Sequence, residues 1–272
     1  MTAGAVLPGG EPFTAAVLSR GTLEIDGRVL PASNATFVGQ VSLDGVVVRC
    51  VYKPVRGERP LWDFPTGTLA DREVAAYEVS QRAGWHVVPT TVHADGPFGS
   101  GMVQEWVDTD DTELVDLVPQ GQLPVGWRHV LDAWDGAERP ISLVHADVAG
   151  LRRMTVFDAV VNNADRKAGH LLSAGRVLRG CDHGLTFHVD DKLRTVLWGW
   201  AGEPLADEDL EPVHRLLSAL EDNTASGFRE RLSQLLNGHE LARLRTRLRL
   251  LVRRRCFPEP PESWRAVPWP VF

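Results

Sequence analysis

The stretches NNADRKAGHLL (residues 162–172) and GCDHGLTF (residues 180–187) decide how this sequence is interpreted. They carry two carboxylates, Asp165 and Asp182, with His170 between them. The first stretch is a polar loop at the end of a predicted helix, and it leads into short predicted strands. Transfer of a phosphoryl group to a hydroxyl needs one carboxylate that orients the acceptor and another that holds a divalent metal ion on the phosphates. The pattern therefore predicts a phosphoryl-transfer site around these two residues.

The same stretches resemble a known family. NADRKAGHLL resembles the catalytic loop of phosphoinositide 3-/4-kinases and HipA-type kinases, in which Asp-Arg is followed by an Asn five residues after the Asp, and CDHG resembles their Asp-Phe-Gly metal motif. The resemblance implies that Asp165 is the catalytic aspartate and Asp182 a metal ligand. It places His170 where the family has a metal-binding Asn, so His170 and Asp182 are the candidate ligands for Mg²⁺ or Mn²⁺.

Nitrogen from an imidazole suits Mn²⁺ better than Mg²⁺, which prefers oxygen. The ring must also be deprotonated to bind a metal ion, and its unperturbed pKa is about 6.5. If His170 is a ligand, we therefore expect nucleotide binding with Mn²⁺ to weaken as the pH falls through about 6.

The resemblance also implies a fold. It predicts an α+β, two-lobed, protein-kinase-like fold, with a small β-rich N-lobe carrying one helix over residues 14–107 and a larger, mainly helical C-lobe over residues 108–272. The match is specific for residues 162–187, looser for 20–107 and absent after about residue 205. ATP is the implied nucleotide, and the acceptor is an unidentified hydroxyl group on a lipid, a protein or a small molecule.

Lys53 is the candidate lysine for the ATP phosphates. It ends the β-type run VVVRCVYKP, as does the strand lysine of kinases. Glu73, in the next predicted helix, is its expected ion-pair partner, and Glu78 is the alternative.

Two further segments are predicted to contact the nucleotide. The PASNATF turn (31–37) stands where a nucleotide loop is expected but lacks the GxGxxG glycines, so phosphate contacts would come from backbone N–H groups and hydroxyls. MVQEWV (102–107) is placed as the hinge between lobes, where backbone groups meet adenine. The candidate residues in these segments are Ser33, Asn34, Thr36, Glu105, Trp106 and Val107.

Local patterns predict the remaining elements. Asp26-Gly27 and Asp44-Gly45 favour tight hairpin turns. Strands or hairpins are predicted at 21–30, 35–54, 92–107, 170–173, 177–181 and 185–188. Helices are predicted at 69–83, 111–118, 127–134, 147–163, 207–221 and 227–255. A loose arm is expected over residues 1–13, and an extended C-terminal tail after the last helix.

Composition limits the function classes. The net charge of −7 argues against general nucleic-acid binding, which depends on basic surface. Neither a signal peptide nor an apolar stretch of about 20 residues is present, so a cytoplasmic protein without a transmembrane segment is expected. The arginines of 242–255 share a predicted helix with core-forming leucines, and they are expected on a solvated or salt-bridged face.

Two other functions remain open at this point. A nucleotide-binding pseudokinase that regulates a partner is favoured by His170 and by the glycine-poor loop. Nucleotidyl transfer on the same fold is the other alternative. The segment between Asp182 and Pro204 has no extended basic stretch, which argues against a phosphoinositide headgroup as the acceptor.

Overall fold

An antiparallel sheet of five strands forms the N-terminal lobe of the structure, a computed structural model that describes residues 10–30, 34–59, 64, 69–222, 227–262 and 265–272. Its strand order is β1-β2-β3-β5-β4. The strands are β1 (Thr22–Arg28), β2 (Phe37–Leu43), β3 (Val46–Pro54), β4 (Thr91–Gly96) and β5 (Gly99–Glu105). The hairpins predicted over 35–54 and 92–107 are confirmed.

The two Asp-Gly pairs behave differently. Asp44 and Gly45 both have positive φ angles, 48° and 80°, and they form the predicted turn between β2 and β3. The hairpin predicted at Asp26-Gly27 is wrong, because β1 continues through it and keeps its pairing with β2. A shift in register between Ile25 and Gly27 absorbs the extra residue as a bulge, a role for which glycine is also suited.

Two helices pack near this sheet. Helix α2 (Leu69–Ala83) is confirmed, and it ends at Gly84, whose φ of +77° gives the left-handed cap. Helix α1 (Gly10–Arg20) corrects the prediction of a single helix in the lobe, and it replaces the loose arm at residues 10–13. Residues 1–9 of the predicted arm lie outside the described residues. Its Val17 and Leu18 are buried in one apolar cluster with Cys50 and Tyr52 of the sheet. The apolar face of the sheet must be buried against another element. The sequence of residues 10–20 alone does not show that it forms that element.

The C-terminal lobe is built on four helices around one apolar core. They are α3 (Ala149–Val161), α4 (Asp207–Glu221), α5 (Phe228–Leu235) and α6 (Gly238–Arg254). The single helix predicted over 227–255 is divided, because Asn237 caps α6 by accepting from the backbone N–H groups of His239 and Glu240. Arg72 of α2 forms a buried ion pair with Glu240 of α6, which ties α2 to this lobe.

A three-stranded sheet replaces two predicted helices. Strands β6 (Val115–Pro119), β7 (Trp127–Trp134) and β8 (Pro140–Ala146) pair in the order β6-β8-β7, so the helices predicted at 111–118 and 127–134 are wrong. Both are short apolar runs for which periodicity alone does not separate helix from strand. Here the central strand β8 provides the pairing that selects the extended form.

The segment that carries the candidate site runs from α3 through a short hairpin. The strands predicted at 170–173 and 177–181 are present as β9 (Leu171–Ala174) and β10 (Val177–Gly180), and they pair with each other. Residues 185–188 form no strand, and Phe187 has a φ of +61°, which breaks any extended run. The molecule is therefore a two-lobed α+β fold, as predicted from the sequence. Within the described residues, no helix is both long and apolar enough to cross a membrane.

Candidate active site

Lys53, Glu73 and Asp182 form the charged centre of the site. Lys53 Nζ on β3 lies 2.7 Å from Glu73 Oε1 on α2 and 2.7 Å from Asp182 Oδ1. Glu73 is buried, and its other oxygen accepts from the His183 backbone N–H at 2.8 Å. Glu78, the alternative partner of Lys53, instead contacts Arg231 at 3.1 Å. The strand lysine therefore meets the helix glutamate and the second carboxylate at one point.

Lys53 stabilises both carboxylates, whereas the two carboxylates repel each other. Burial lowers the pKa of Lys53, but Asp182 and Glu73 oppose it and leave that pKa above its ordinary value. Lys53 lowers the pKa of Asp182 against the effect of burial, so this carboxyl stays ionised. Burial raises the pKa of Glu73, and Lys53 acts in the opposite sense. A phosphate that approaches Lys53 would therefore meet a fully charged ammonium group.

Asp182 and His170 lie side by side. His170 Nε2 is 3.4 Å from Asp182 Oδ2, and the Asp182 side chain remains half-exposed. Burial lowers the pKa of His170 to about 4, so its ring is neutral at neutral pH, the state that binds metal. Among the described residues, no group of three or more His, Cys, Asp or Glu side chains is placed to hold a metal ion. One imidazole nitrogen and one carboxylate fit a divalent ion only if nucleotide phosphates and water complete its shell.

Asp165 occupies the loop that follows α3. Its backbone N–H donates to Asn163 Oδ1 at 3.0 Å, and Lys167 Nζ lies 3.4 Å from its carboxylate. Burial raises the pKa of Asp165, while Lys167 acts against this rise. A carboxylate with a raised pKa is a better proton acceptor than an ordinary one.

Most of these residues line one cavity of about 300 Å³ between the lobes. Its lining includes Asn34, Lys53, Glu73, Asp165 and Asp182, but His170 is not among the residues that line it. The structure therefore brings both predicted carboxylates, the strand lysine and one residue of the predicted nucleotide loop to a common space.

The chain is similar to a known protein over most of its length. No family model matches the chain. "Protein Rv2133c" of Mycobacterium tuberculosis is 47% identical over 269 residues, which cover 94% of this chain and 95% of that protein. The chain belongs to the family of Rv2133c. Among solved structures, the Helicobacter pylori proinflammatory kinase CtkA matches with a TM-score of 0.37 and 12% identity, over 86% of this chain and 97% of that chain.

Only part of the predicted nucleotide loop of this protein lies at the cavity. Thr36 Oγ1 donates to the Asn34 carbonyl at 3.4 Å, and Thr36 does not line the cavity. Ser33 lies outside the described residues. Glu58, which the sequence reasoning missed, lines the cavity, and its carboxylate accepts from the backbone N–H groups of Leu69 and Ala70 at the start of α2. The sequence carried no local signal for this role, because Glu58 precedes the start of α2 by 11 residues.

The predicted hinge residues of this protein differ in whether their backbone N–H groups are hydrogen-bonded. The Glu105 N–H donates to the Thr90 carbonyl at 2.8 Å, and the Trp106 N–H donates to the Arg49 carbonyl at 2.9 Å. Within the described chain, no acceptor is found for the Val107 N–H. The three positions therefore differ, because two of the backbone N–H groups already have acceptors within the chain.

A buried arginine holds the loops of the site together. Arg166 is fully buried and grips the Asp158 carboxylate with two hydrogen bonds of 2.9 and 2.8 Å. It also donates to the carbonyls of His170 and Cys181, and its Nη2 lies 2.8 Å from His183 Nε2. Asp158 was missed from the sequence, although a carboxylate in the apolar run VFDAVV is a visible sign of a buried partner.

Proposed function

We propose that this protein is an ATP-dependent phosphotransferase that moves the γ-phosphate of ATP to a hydroxyl acceptor. The observation that carries the proposal is Lys53 Nζ, which lies 2.7 Å from both Glu73 and Asp182 on a cavity that Asp165 also lines. A strand lysine paired with a helix glutamate is the arrangement by which kinases hold ATP phosphates. The two-lobed fold supports the same class of reaction.

In this proposal, Lys53 binds the phosphates of ATP, and the Val107 N–H meets adenine. Asp182 and His170 hold Mg²⁺ or Mn²⁺, which when bound neutralises charge on the phosphates. Asp165 orients the acceptor hydroxyl and takes its proton. Its raised pKa suits that step, and Lys167 beside it compensates the negative charge of its carboxylate.

The acceptor class is inferred from the segment after Asp182. Gly199 in this segment is fixed from both sides: its N–H donates to His145 Nε2 at 3.1 Å, and its carbonyl accepts from Arg128 at 3.0 Å. A short segment held in this way offers little basic surface for an inositol phosphate. We therefore favour a small molecule or a protein hydroxyl as the acceptor, within a family that resembles phosphatidylinositol 3-/4-kinases and the HipA branch.

The experiment uses ATP labelled at either the α- or the γ-phosphate. Each is incubated with the protein and Mg²⁺ or Mn²⁺, and label is followed into inorganic phosphate and into protein, so that water and the chain itself serve as acceptors. We expect label to move from the γ-phosphate alone. Asp165→Asn should stop it while ATP still binds, and Asp111→Asn, an exposed carboxylate elsewhere, is the matched control. Movement of α-label would instead indicate nucleotidyl transfer.

A second candidate is a pseudokinase that binds ATP without turnover. It is favoured by the candidate metal site, which has two residues, and in which His170 stands where phosphoinositide 3-/4-kinases and HipA-type kinases have Asn. Tight ATP binding with no transfer of either label would select this alternative.

A further inference from the structure

His183 lies between the two halves of the site, and no role has yet been assigned to it. It follows Asp182, is fully buried, and its ring meets Phe157 edge-on at a centroid distance of 5.4 Å. Its backbone N–H donates to Glu73, and its ring Nε2 lies 2.8 Å from Arg166 Nη2. One residue therefore touches both the glutamate of the nucleotide lysine and the arginine that braces the catalytic loop.

The contact with Arg166 fixes the tautomer of the ring. A guanidinium group can only donate hydrogen bonds, so His183 Nε2 must be the acceptor. In a neutral ring the proton is then on Nδ1. The same contact excludes the doubly protonated ring, because Nε2 could not then accept from Arg166. The Nδ1 atom is buried and has no hydrogen-bond partner among the described residues, and Glu73 Oε2 lies 3.8 Å from it.

We propose that His183 is a positioning residue that couples the Lys53–Glu73 pair to the catalytic loop. The connection runs from Asp158 through Arg166 to the His183 ring, and from there to Glu73. When phosphates of ATP replace Asp182 at Lys53, the Lys53–Glu73 pair stays in place, and a small rotation of the Glu73 carboxylate would bring Oε2 to the His183 Nδ1–H and close the remaining gap. The nucleotide site and the Asp165 loop would then be assembled together, and this inference rests on the proposed function.

Two substitutions separate this role from simple packing. His183→Phe keeps an aromatic ring but removes the acceptor and the donor, whereas His183→Gln keeps one of each at the end of its side chain. We expect His183→Phe to lower kcat for release of γ-phosphate from ATP roughly tenfold or more, the usual effect of losing an orienting partner. KM for ATP should stay nearly unchanged, and His183→Gln should recover most of kcat. His188→Phe, outside the connection, is the matched control.

A spectroscopic measurement tests the geometry without turnover. In protein labelled with ¹⁵N at histidine, long-range ¹H–¹⁵N correlations report which ring nitrogen carries the proton, and the signal lost in His183→Gln assigns the residue. We expect the Nδ1–H tautomer, and a shift of this proton when ATP and Mg²⁺ are added. An Nε2–H tautomer would overturn the proposal, as would full kcat in His183→Phe.

The two proposals can fail separately. If the wild-type protein transfers no phosphate, the proposed reaction is wrong, but the ring proton still decides the coupling. A shift of the Nδ1 proton on addition of ATP and Mg²⁺, absent in Glu73→Gln, would support it. An unmoved Nδ1 proton in a protein that binds ATP would overturn it.

Discussion

Two carboxylates in this molecule are paired with cations in contrasting ways. Asp158 and Arg166 form an ion pair with side-chain exposures of 1% and 0%. The Arg166 guanidinium also donates hydrogen bonds to two backbone carbonyls. Asp182 and Lys53 form an equally short pair, but their side chains are 51% and 21% exposed. The first pair is closed to ligands and holds two loops in place. The second is open to solvent, and in the proposed function Lys53 and Asp182 exchange this contact for phosphate and metal.

The closed pair should matter most for stability. Asp158→Ala leaves the Arg166 guanidinium buried without its counter-charge, and breaking a buried pair in this way costs about 3–5 kcal/mol of unfolding free energy. Asp182→Ala leaves Lys53 with Glu73 and should cost less than about 1 kcal/mol, as for a partly exposed pair. Chemical denaturation of both variants checks the contrast. Equal losses would show that exposure does not separate the two pairs.

The largest functional effect is expected at Asp165. Asp165→Asn removes the proton acceptor, and general bases contribute about a hundredfold or more to rate. ATP affinity should remain within a factor of a few, because Lys53 and the metal site carry binding. The rate of γ-label transfer and the Kd for ATP are the two measurements. A loss of ATP affinity of about tenfold, which corresponds to about 1.4 kcal/mol, would assign Asp165 a different role.

Both residues of the open pair were singled out from the sequence, although their contact with each other was not predicted; the closed pair was not singled out. Asp165 and Asp182 lie in one local stretch with a recognisable pattern, and Lys53 ends a strand whose hairpin turn is encoded by Asp44-Gly45. Asp158 stands out as a carboxylate in an apolar run, but its partner Arg166, eight residues along the chain, is identified only when both are seen to be buried together. Residue type and spacing are enough to suggest a functional residue at an exposed site. A buried ion pair is recognised only when the packing of its two residues is known.

The wrong predictions have the same origin. Residues 127–134 were predicted as a helix because their short apolar run does not reveal β8, the strand with which they pair. Helix α1 was missed because its burial is set by the sheet that it covers. In both cases the deciding contacts join residues that are distant in the chain. Local patterns do not contain that information.

Substitution of Lys53 tests the exposed pair that it forms with Asp182. Lys53→Ala removes the ammonium group that meets phosphate, so ATP should bind at least about tenfold more weakly, a loss of about 1.4 kcal/mol. Adenosine, which has no phosphate, should bind nearly as before. Thermal-shift titrations of both ligands with wild type and variant make the comparison. If the two ligands lose affinity equally, Lys53 is not part of the phosphate site.

The smallest effect on ATP binding is expected at His170. Substitution of this residue should change which metal ion is preferred without abolishing metal binding. The sequence alone places the loss of Mn²⁺-supported binding near pH 6, from the ordinary pKa of an imidazole. Burial lowers the pKa of His170 to about 4, so the ring stays neutral as the pH falls, and Mn²⁺-supported binding should persist until the pH approaches about 4. His170→Asn replaces nitrogen by a carbonyl oxygen and should shift preference towards Mg²⁺ by a few-fold. Titrations of ATP with each metal at pH 7.5, 5.5 and 4.5 test both points. An unchanged metal preference in the variant at every pH would leave Asp182 as the metal ligand and make His170 a structural residue.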